Sequence, residues 1–153
     1  MISTRPAVDG LPSNRTEYPH MVIVDTTVWI DYLRGASNQE TAWLDREMKQ
    51  RRLGLTDLIL CEVLQGVRDP GTFRQVHDEL LRFHVFPTGG VDLATKAARN
   101  YRALRAEGHT VRKTIDCWIA TFCLMSGHEL LHRDHDFDPF EKLLGLNVVH
   151  AEG

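Results

Sequence analysis

The chain has 153 residues, of which 42% are hydrophobic and 25% are charged, and its formal net charge is −3. This length predicts one domain with a hydrophobic core, and the composition is that of a folded globular protein. The acidic balance excludes a globally basic nucleic-acid binder, and no apolar stretch approaches membrane-spanning length, so we expect no membrane partner.

The first twenty residues differ in composition from the rest of the chain. Residues 1–20 carry four proline or glycine residues among polar ones, which predicts a flexible N-terminal extension. They lack the apolar core of a secretory signal. Met21 directly precedes the first predicted strand, so the sequence leaves open whether Met1 or Met21 is the native start. The three cysteines have no metal-ligand spacing, which predicts reduced thiols in the core of a cytoplasmic protein.

Strand and helix patterns alternate from residue 21 onward. Residues 21–25 form a continuous apolar run, typical of a strand buried on both faces of a parallel sheet. The other predicted strands are 53–56, 84–86, 129–132 and 146–149. The predicted helices are 27–33, 37–51, 56–66, 69–83, 91–107, 114–125 and a short one from 138. A capping box of Ser37 with Glu40 is expected to begin the second of these helices, and Thr56 is expected to cap the third. Residues 21–150 therefore predict one α/β domain, a parallel sheet of four to five strands with helices on both faces.

Four acidic residues stand among apolar neighbours, where an ordinary core does not place them. They are Asp25, Glu62, Asp116 and Asp134. Singly, the three aspartates have ordinary explanations as a helix cap, a first-turn acid and a turn residue. Glu62 is harder to explain, because its predicted helix is apolar nearly all round and offers no solvated face. Its ordinary explanation is a buried pair with an arginine or lysine.

Taken together, the four acids predict a site for a hard cation. Asp25 and Asp134 follow predicted strands, whose carboxyl ends meet at one edge of a parallel sheet. Carboxylates a few ångström apart repel by about 4 kcal/mol at an effective dielectric of 20, so such a group needs a cation or a raised pKa. Oxygen ligands favour Mg²⁺ or Mn²⁺, and a metal-activated water suits phosphodiester hydrolysis.

Four stretches of the chain together resemble the motifs of PIN-domain ribonucleases. In chain order they are Asp25-Thr26-Thr27-Val28-Trp29-Ile30, Glu62-Val63-Leu64-Gln65-Gly66, Thr114-Ile115-Asp116-Cys117-Trp118-Ile119-Ala120 and Leu131-His132-Arg133-Asp134-His135-Asp136-Phe137. Their order, their spacing and the size of the chain are similar to VapC-type toxins of bacterial toxin–antitoxin pairs. The resemblance covers essentially all of residues 21–150.

The resemblance implies a cytoplasmic endoribonuclease that uses Mg²⁺ or Mn²⁺ and acts on a structured RNA such as tRNA or rRNA. It also implies a homodimer and a cognate antitoxin protein. Asp25 and Asp116 match the metal ligands most firmly, while Glu62 matches a ligand or a residue that positions the attacking water. Asp134 completes the four, although Asp136 can share or replace it. Thr27 matches a residue that orients the first aspartate; His132 replaces a usual Thr or Ser and is expected to leave the acids unaffected.

Basic residues near these motifs are candidate RNA contacts. Arg112 and Lys113 precede the Asp116 helix and can grip phosphate, as can Arg133, although a solvated loop is the ordinary explanation. A weaker alternative is a transition-metal site at His132, His135 and Asp136. Two other functions remain open: a receiver-like phosphoacceptor domain, and an inert binding module. The sequence does not identify the RNA, the cut site or the antitoxin. It also does not distinguish a one-metal from a two-metal mechanism.

Overall fold

The computed structural model describes residues 20–152, so the predicted extension lies outside the described residues except for its last position. The strands are β1 (Val22–Val24), β2 (Leu53–Thr56), β3 (His84–Phe86) and β4 (Glu129–Leu131). The helices are α1 (Thr26–Leu33), α2 (Gln39–Glu47), α3 (Asp57–Gln65), α4 (Pro70–Leu80), α5 (Val91–Ala106), α6 (Thr114–Ser126) and α7 (Asp138–Leu144), with a 3-10 turn at His135–Phe137.

The four strands form one parallel sheet in the order β3-β2-β1-β4, which confirms the predicted α/β fold. Every residue of β1 and β2 is buried, as expected for strands covered on both faces. The chain places β2 on one side of β1 and β4 on the other, so the connections change direction beside β1. Sites in open parallel sheets form at such a point, at the carboxyl ends of the strands.

The predicted fifth strand at 146–149 is wrong, because this segment makes only an isolated parallel bridge. Val148 pairs with Leu130 through two backbone hydrogen bonds. The Leu130 N–H donates to Asn147 O at 2.8 Å, and the Val149 N–H donates to Leu130 O at 2.9 Å. The segment still lies beside β4, on the outer edge of the sheet.

Side-chain caps explain where several helices begin. Thr56 Oγ1 accepts from the Ile59 N–H at 3.1 Å, as predicted for α3. The predicted capping box of Ser37 with Glu40 is wrong: Asn38 caps α2, its side chain accepting from the Thr41 N–H while Thr41 Oγ1 accepts from the Asn38 N–H.

The core lies between the sheet and its helices. Trp29 and Trp43 are buried in it, and the half-buried Trp118 donates its indole N–H to Thr88 O at 2.6 Å. Cys117 and Cys123 are buried free thiols, but Cys61 is exposed, which corrects the prediction of three core cysteines. None of the helices within residues 20–152 combines the length and hydropathy that a membrane crossing requires.

Candidate active site

Asp25 lies at the carboxyl end of β1, where the strand passes directly into α1. It is buried and caps α1, with Oδ2 accepting the Thr27 N–H at 3.1 Å and the Thr27 hydroxyl at 2.7 Å. The cap and the site therefore use the same carboxylate, so the two explanations for Asp25 do not exclude each other. Thr27 contacts Asp25 as an orienting residue would.

Asp116 enters the same region from the first turn of α6. Its side chain is buried, and its Oδ2 has no hydrogen-bond partner among the described residues. A buried carboxylate oxygen without a donor is costly, because it has lost its water and gained nothing in return. The arrangement leaves this oxygen available for a cation or a water molecule.

Asp134 and Asp136 follow β4 in the 3-10 turn. Asp134 Oδ1 accepts the Asp136 N–H at 2.9 Å, and both side chains are half-buried. One ligand oxygen each from Asp116, Asp134 and Asp136 lies within 4.8 Å of the other two. Asp116 thus lies close to two aspartates that follow it by eighteen and twenty positions in sequence, and Asp136 belongs to the group alongside Asp134.

Glu62 reaches the group from α3. It is half-buried, and its Oε1 accepts the Thr26 hydroxyl at 2.6 Å. The expectation that α3 offers no solvated face is wrong, because Cys61 and Gln65 are exposed on it. The ordinary explanation, a buried pair with an arginine or lysine, is not what the described residues show, since the partner of Glu62 there is a hydroxyl. Its side chain is held at the carboxyl end of β1 because Thr26 begins α1.

The electrostatics show that the acids share one region. Burial raises the pKa of Asp25 from 3.8 to about 6, opposed by the Thr27 hydrogen bonds and reinforced by Glu62. The pKa of Asp116 is raised to about 7, first by burial and then by the charges of Asp25 and Asp134, against the opposing charge of Lys113. Burial is the largest cause of both raised pKa values, so the charged forms of these two aspartates are destabilised unless positive charge is brought to them.

Arg133 fixes the loop that carries the last two aspartates. Its backbone N–H donates to Thr27 Oγ1 at 3.1 Å, so one hydroxyl joins this loop to Asp25. Its guanidinium makes ion pairs with Asp31 of α1 and Glu40 of α2, both at 3.1 Å. These contacts tie the loop to two helices and direct the guanidinium to them.

His132 also contacts this loop, which the sequence did not suggest. Its Nδ1 accepts the Asp134 N–H at 3.0 Å, and burial lowers the pKa of the ring. The ring therefore helps to set the backbone of Asp134. Within residues 20–152, the three aspartates Asp116, Asp134 and Asp136 form the one group of possible metal ligands that lie close enough together. Neither His132 nor His135 belongs to such a group.

The other two candidate RNA contacts border the acids. Arg112 is 77% exposed on its side chain and pairs with Asp136 at 3.2 Å, so it can leave that carboxylate for another anion at little cost. Lys113 is exposed and near enough to lower the pKa of Asp116. Both cations therefore lie where a phosphate on the acidic group could meet them.

The protein has two cavities of note, of which one adjoins the acidic group. An apolar groove of about 1070 Å³ runs between α1, α3 and α4, and none of the five acids lines it. A polar cavity of about 720 Å³ opens beside Asp134 and is bounded by α2, α7 and the segment that follows α7. The larger groove is thus separate from the acidic group, whereas the smaller cavity shares a residue with it.

Comparisons with known proteins identify the family of the chain. The model of the PIN domain family matches residues 22–143. The chain is 33% identical over 135 residues to the VapC ribonuclease Mb1587 of Mycobacterium bovis and to ribonuclease VapC11 of Mycobacterium tuberculosis, covering 84% of this chain and 98% of each relative.

Solved structures with the same fold are toxin–antitoxin complexes. The VapBC2 complex of Rickettsia felis bound to promoter DNA is similar with a TM-score of 0.66 at 12% identity, over 84% of this chain and 97% of that one. The DNA-bound VapBC of Salmonella typhimurium gives a TM-score of 0.67 at 16% identity, over 86% and 98%. At these identities the likeness supports the fold alone.

Proposed function

The chain belongs to the PIN domain family, and from that membership and the acidic group we propose that it is a metal-dependent endoribonuclease, the toxin of a type II toxin–antitoxin pair. The observation that carries the proposal is the convergence of Asp116, Asp134 and Asp136 within 4.8 Å, beside a buried Asp25 with a raised pKa. The receiver-like alternative has no support from the family match.

The donor set fits Mg²⁺ or Mn²⁺. It consists of carboxylate oxygens, one of them buried without a donor, and hard divalent ions take such ligands. Asp25, Asp116 and Asp134 would hold the ion, with Asp136 as a further ligand and Glu62 as a ligand or a water-positioning group. When bound, the ion supplies positive charge for the phosphodiester oxygens and acidifies the attacking water.

The surrounding residues prepare the acids and receive the substrate. Thr27 orients Asp25 and, by donating to its carboxylate, favours the ionised form. Thr26 orients Glu62 by donating its hydroxyl to Oε1. Arg112 and Lys113 would bind phosphate of the RNA beside the acids. We assign Arg133 mainly to positioning, because its guanidinium is held by two carboxylates.

The proposed substrate is a structured RNA such as tRNA or rRNA, and the proposed protein partners are an antitoxin and a second copy of the chain. The apolar groove between α1, α3 and α4 offers a surface of the kind that accepts an amphipathic helix. Free thiols at all three cysteines are consistent with the reducing cytoplasm, where we place the protein. The dimer is tested by light scattering of the purified chain.

RNA cleavage by matched variants tests the function. Asp116→Asn removes one proposed ligand, whereas Asp45→Asn makes the same change at an exposed position of α2 and is the control. With Mn²⁺ present, we expect the wild type and Asp45→Asn to cut tRNA or rRNA at defined positions, and Asp116→Asn to lose at least a hundredfold in rate. Equal cutting by the Asp116→Asn protein, or cutting by the wild type in excess EDTA, would contradict the proposal.

A further inference from the structure

We propose that the cavity beside Asp134 is a base-binding site that selects guanine next to the phosphate to be cut; this rests on the proposed nuclease function. The cavity measures about 720 Å³, which lies in the size range of small-molecule sites and exceeds the volume of one nucleoside. It shares Asp134 with the acidic group. A nucleotide whose phosphate meets that group must therefore place a neighbouring base at or near this opening.

The lining is rich in hydrogen-bond acceptors. Three half-buried carboxylates project from two helices: Glu40 of α2, and Asp138 and Glu141 of α7. Each has one partner, respectively Arg133 at 3.1 Å, His135 at 2.9 Å and His150 at 2.6 Å. These partners orient the carboxylates. Since a carboxylate can accept about four hydrogen bonds, acceptor capacity remains on each.

This charge pattern decides which part of an RNA can enter. Carboxylates repel a phosphate, so the backbone is directed to the proposed ion and to Arg112, while an uncharged base can occupy the cavity. The base that best satisfies a carboxylate is guanine, whose N1–H and N2–H donors are adjacent and match its two oxygens. Adenine and cytosine pair an amino donor with a ring acceptor, and uracil places carbonyl oxygens on both sides of its N–H.

The cavity also offers flat rings at its rim. The side chains of His135 and His150 are 100% and 66% exposed, and both are held at one ring nitrogen by a carboxylate. Imidazole faces of this kind stack on single-stranded bases in RNA-binding proteins, which read the base edge by hydrogen bonds at the same time. The cavity therefore offers imidazole faces that can stack on a base and carboxylates that can hydrogen-bond to its edge.

Nucleoside binding tests the cavity independently of catalysis. Guanosine and adenosine are titrated separately into the wild type in EDTA, with binding followed by protein NMR; neither probe has a phosphate, so neither needs the metal. We expect guanosine to bind at least tenfold more tightly than adenosine, with shifts confined to α2, α7 and residues 148–152. Glu141→Gln and Glu40→Gln each exchange an acceptor for an amide and should weaken guanosine binding about tenfold. Glu107→Gln, the same change at an exposed site outside the cavity, should have no effect.

RNA end mapping then tests the consequence for cleavage. The wild type and the Glu107→Gln control should cut with guanine at one fixed position beside the scissile phosphate, and Glu141→Gln should lose that preference about tenfold while it still cuts. Equal binding of guanosine and adenosine would overturn the base site. So would binding of L-argininamide in place of guanosine, which would indicate a site for a basic peptide. Guanosine binding without any RNA cleavage would instead overturn the nuclease function and leave the base site standing.

Discussion

Replacing Asp116 by asparagine should stabilise the metal-free protein while it destroys the proposed metal site. The wild-type carboxyl has a pKa of about 7 in the fold against 3.8 in an unfolded chain. The folded state therefore binds more protons between about pH 4 and pH 7, so stability falls as the pH rises through that range. At about 1.4 kcal/mol per pH unit, the full loss above pH 7 is about 4 kcal/mol.

Asparagine carries no charge, so the variant avoids that loss. It gives up the favourable position of an acid in the first turn of α6, which is about 0.3–1 kcal/mol, so the expected net gain at pH 8 is about 3 kcal/mol. This corresponds to a melting temperature higher by roughly 6–12 °C. At pH 4 the difference should shrink to less than about 1 kcal/mol, because Asp116 is then protonated in the folded wild type and nearly half protonated in the unfolded chain.

The assay is thermal unfolding followed by circular dichroism in EDTA at pH 4, 6 and 8, repeated with millimolar Mn²⁺. With Mn²⁺ the order at pH 8 should reverse, because the ion stabilises only the protein that binds it. Asp45→Asn should follow the wild type throughout. An Asp116→Asn protein that is no more stable than the wild type at pH 8 in EDTA would refute the reasoning that Asp116 is destabilised by burial and by its acidic neighbours.

Four further substitutions have defined outcomes. Burial lowers the pKa of His128 to about 4, and its Nδ1 accepts the Met21 N–H. His128→Phe should therefore lose the rise in stability between pH 4 and 6.5 that this histidine contributes, and should cost about 1–3 kcal/mol at pH 7, read from urea unfolding. Thr27→Val should weaken Mn²⁺ binding about tenfold by calorimetry, since Asp25 loses the hydroxyl that favours its charged form. Arg112→Ala and Lys113→Ala should each lower the salt slope of RNA binding by about one; an unchanged slope would remove either residue from the interface.

The fold was largely predictable because its signals are local. The apolar run at β1, the threonine cap of α3 and the Asp69-Pro70 start of α4 each depend on a few adjacent residues, and the structure has all three. The start of α2 was wrong for a tertiary reason. Ser37 with Glu40 satisfies the capping-box pattern, but Glu40 is engaged by Arg133, nearly a hundred residues later, and Asn38 with Thr41 makes the cap instead.

The site was predictable in its acids but not in its supports. Carboxylates among apolar residues are recognisable in a sequence because their burial is costly. The four family motifs contain them in the expected order along the chain. The hydrogen bonds of Thr26 to Glu62 and of the Asp134 N–H to His132 join ordinary residues across the fold, and no spacing rule indicates them. The polar cavity likewise needs α2, α7 and the end of the chain in place before its carboxylates face one space.

Whether the acidic group holds a divalent cation is tested by diffraction from crystals of the wild-type protein soaked in Mn²⁺. The data are collected at an energy where manganese scatters anomalously. We expect an anomalous peak within coordination distance of Asp116 and Asp134, beside Asp25, and no such peak in matched crystals of Asp116→Asn. The proposed metal site would be contradicted by well-ordered crystals in which those carboxylates are in contact with no manganese between them. The crystals must be soaked at a Mn²⁺ concentration that supports RNA cleavage.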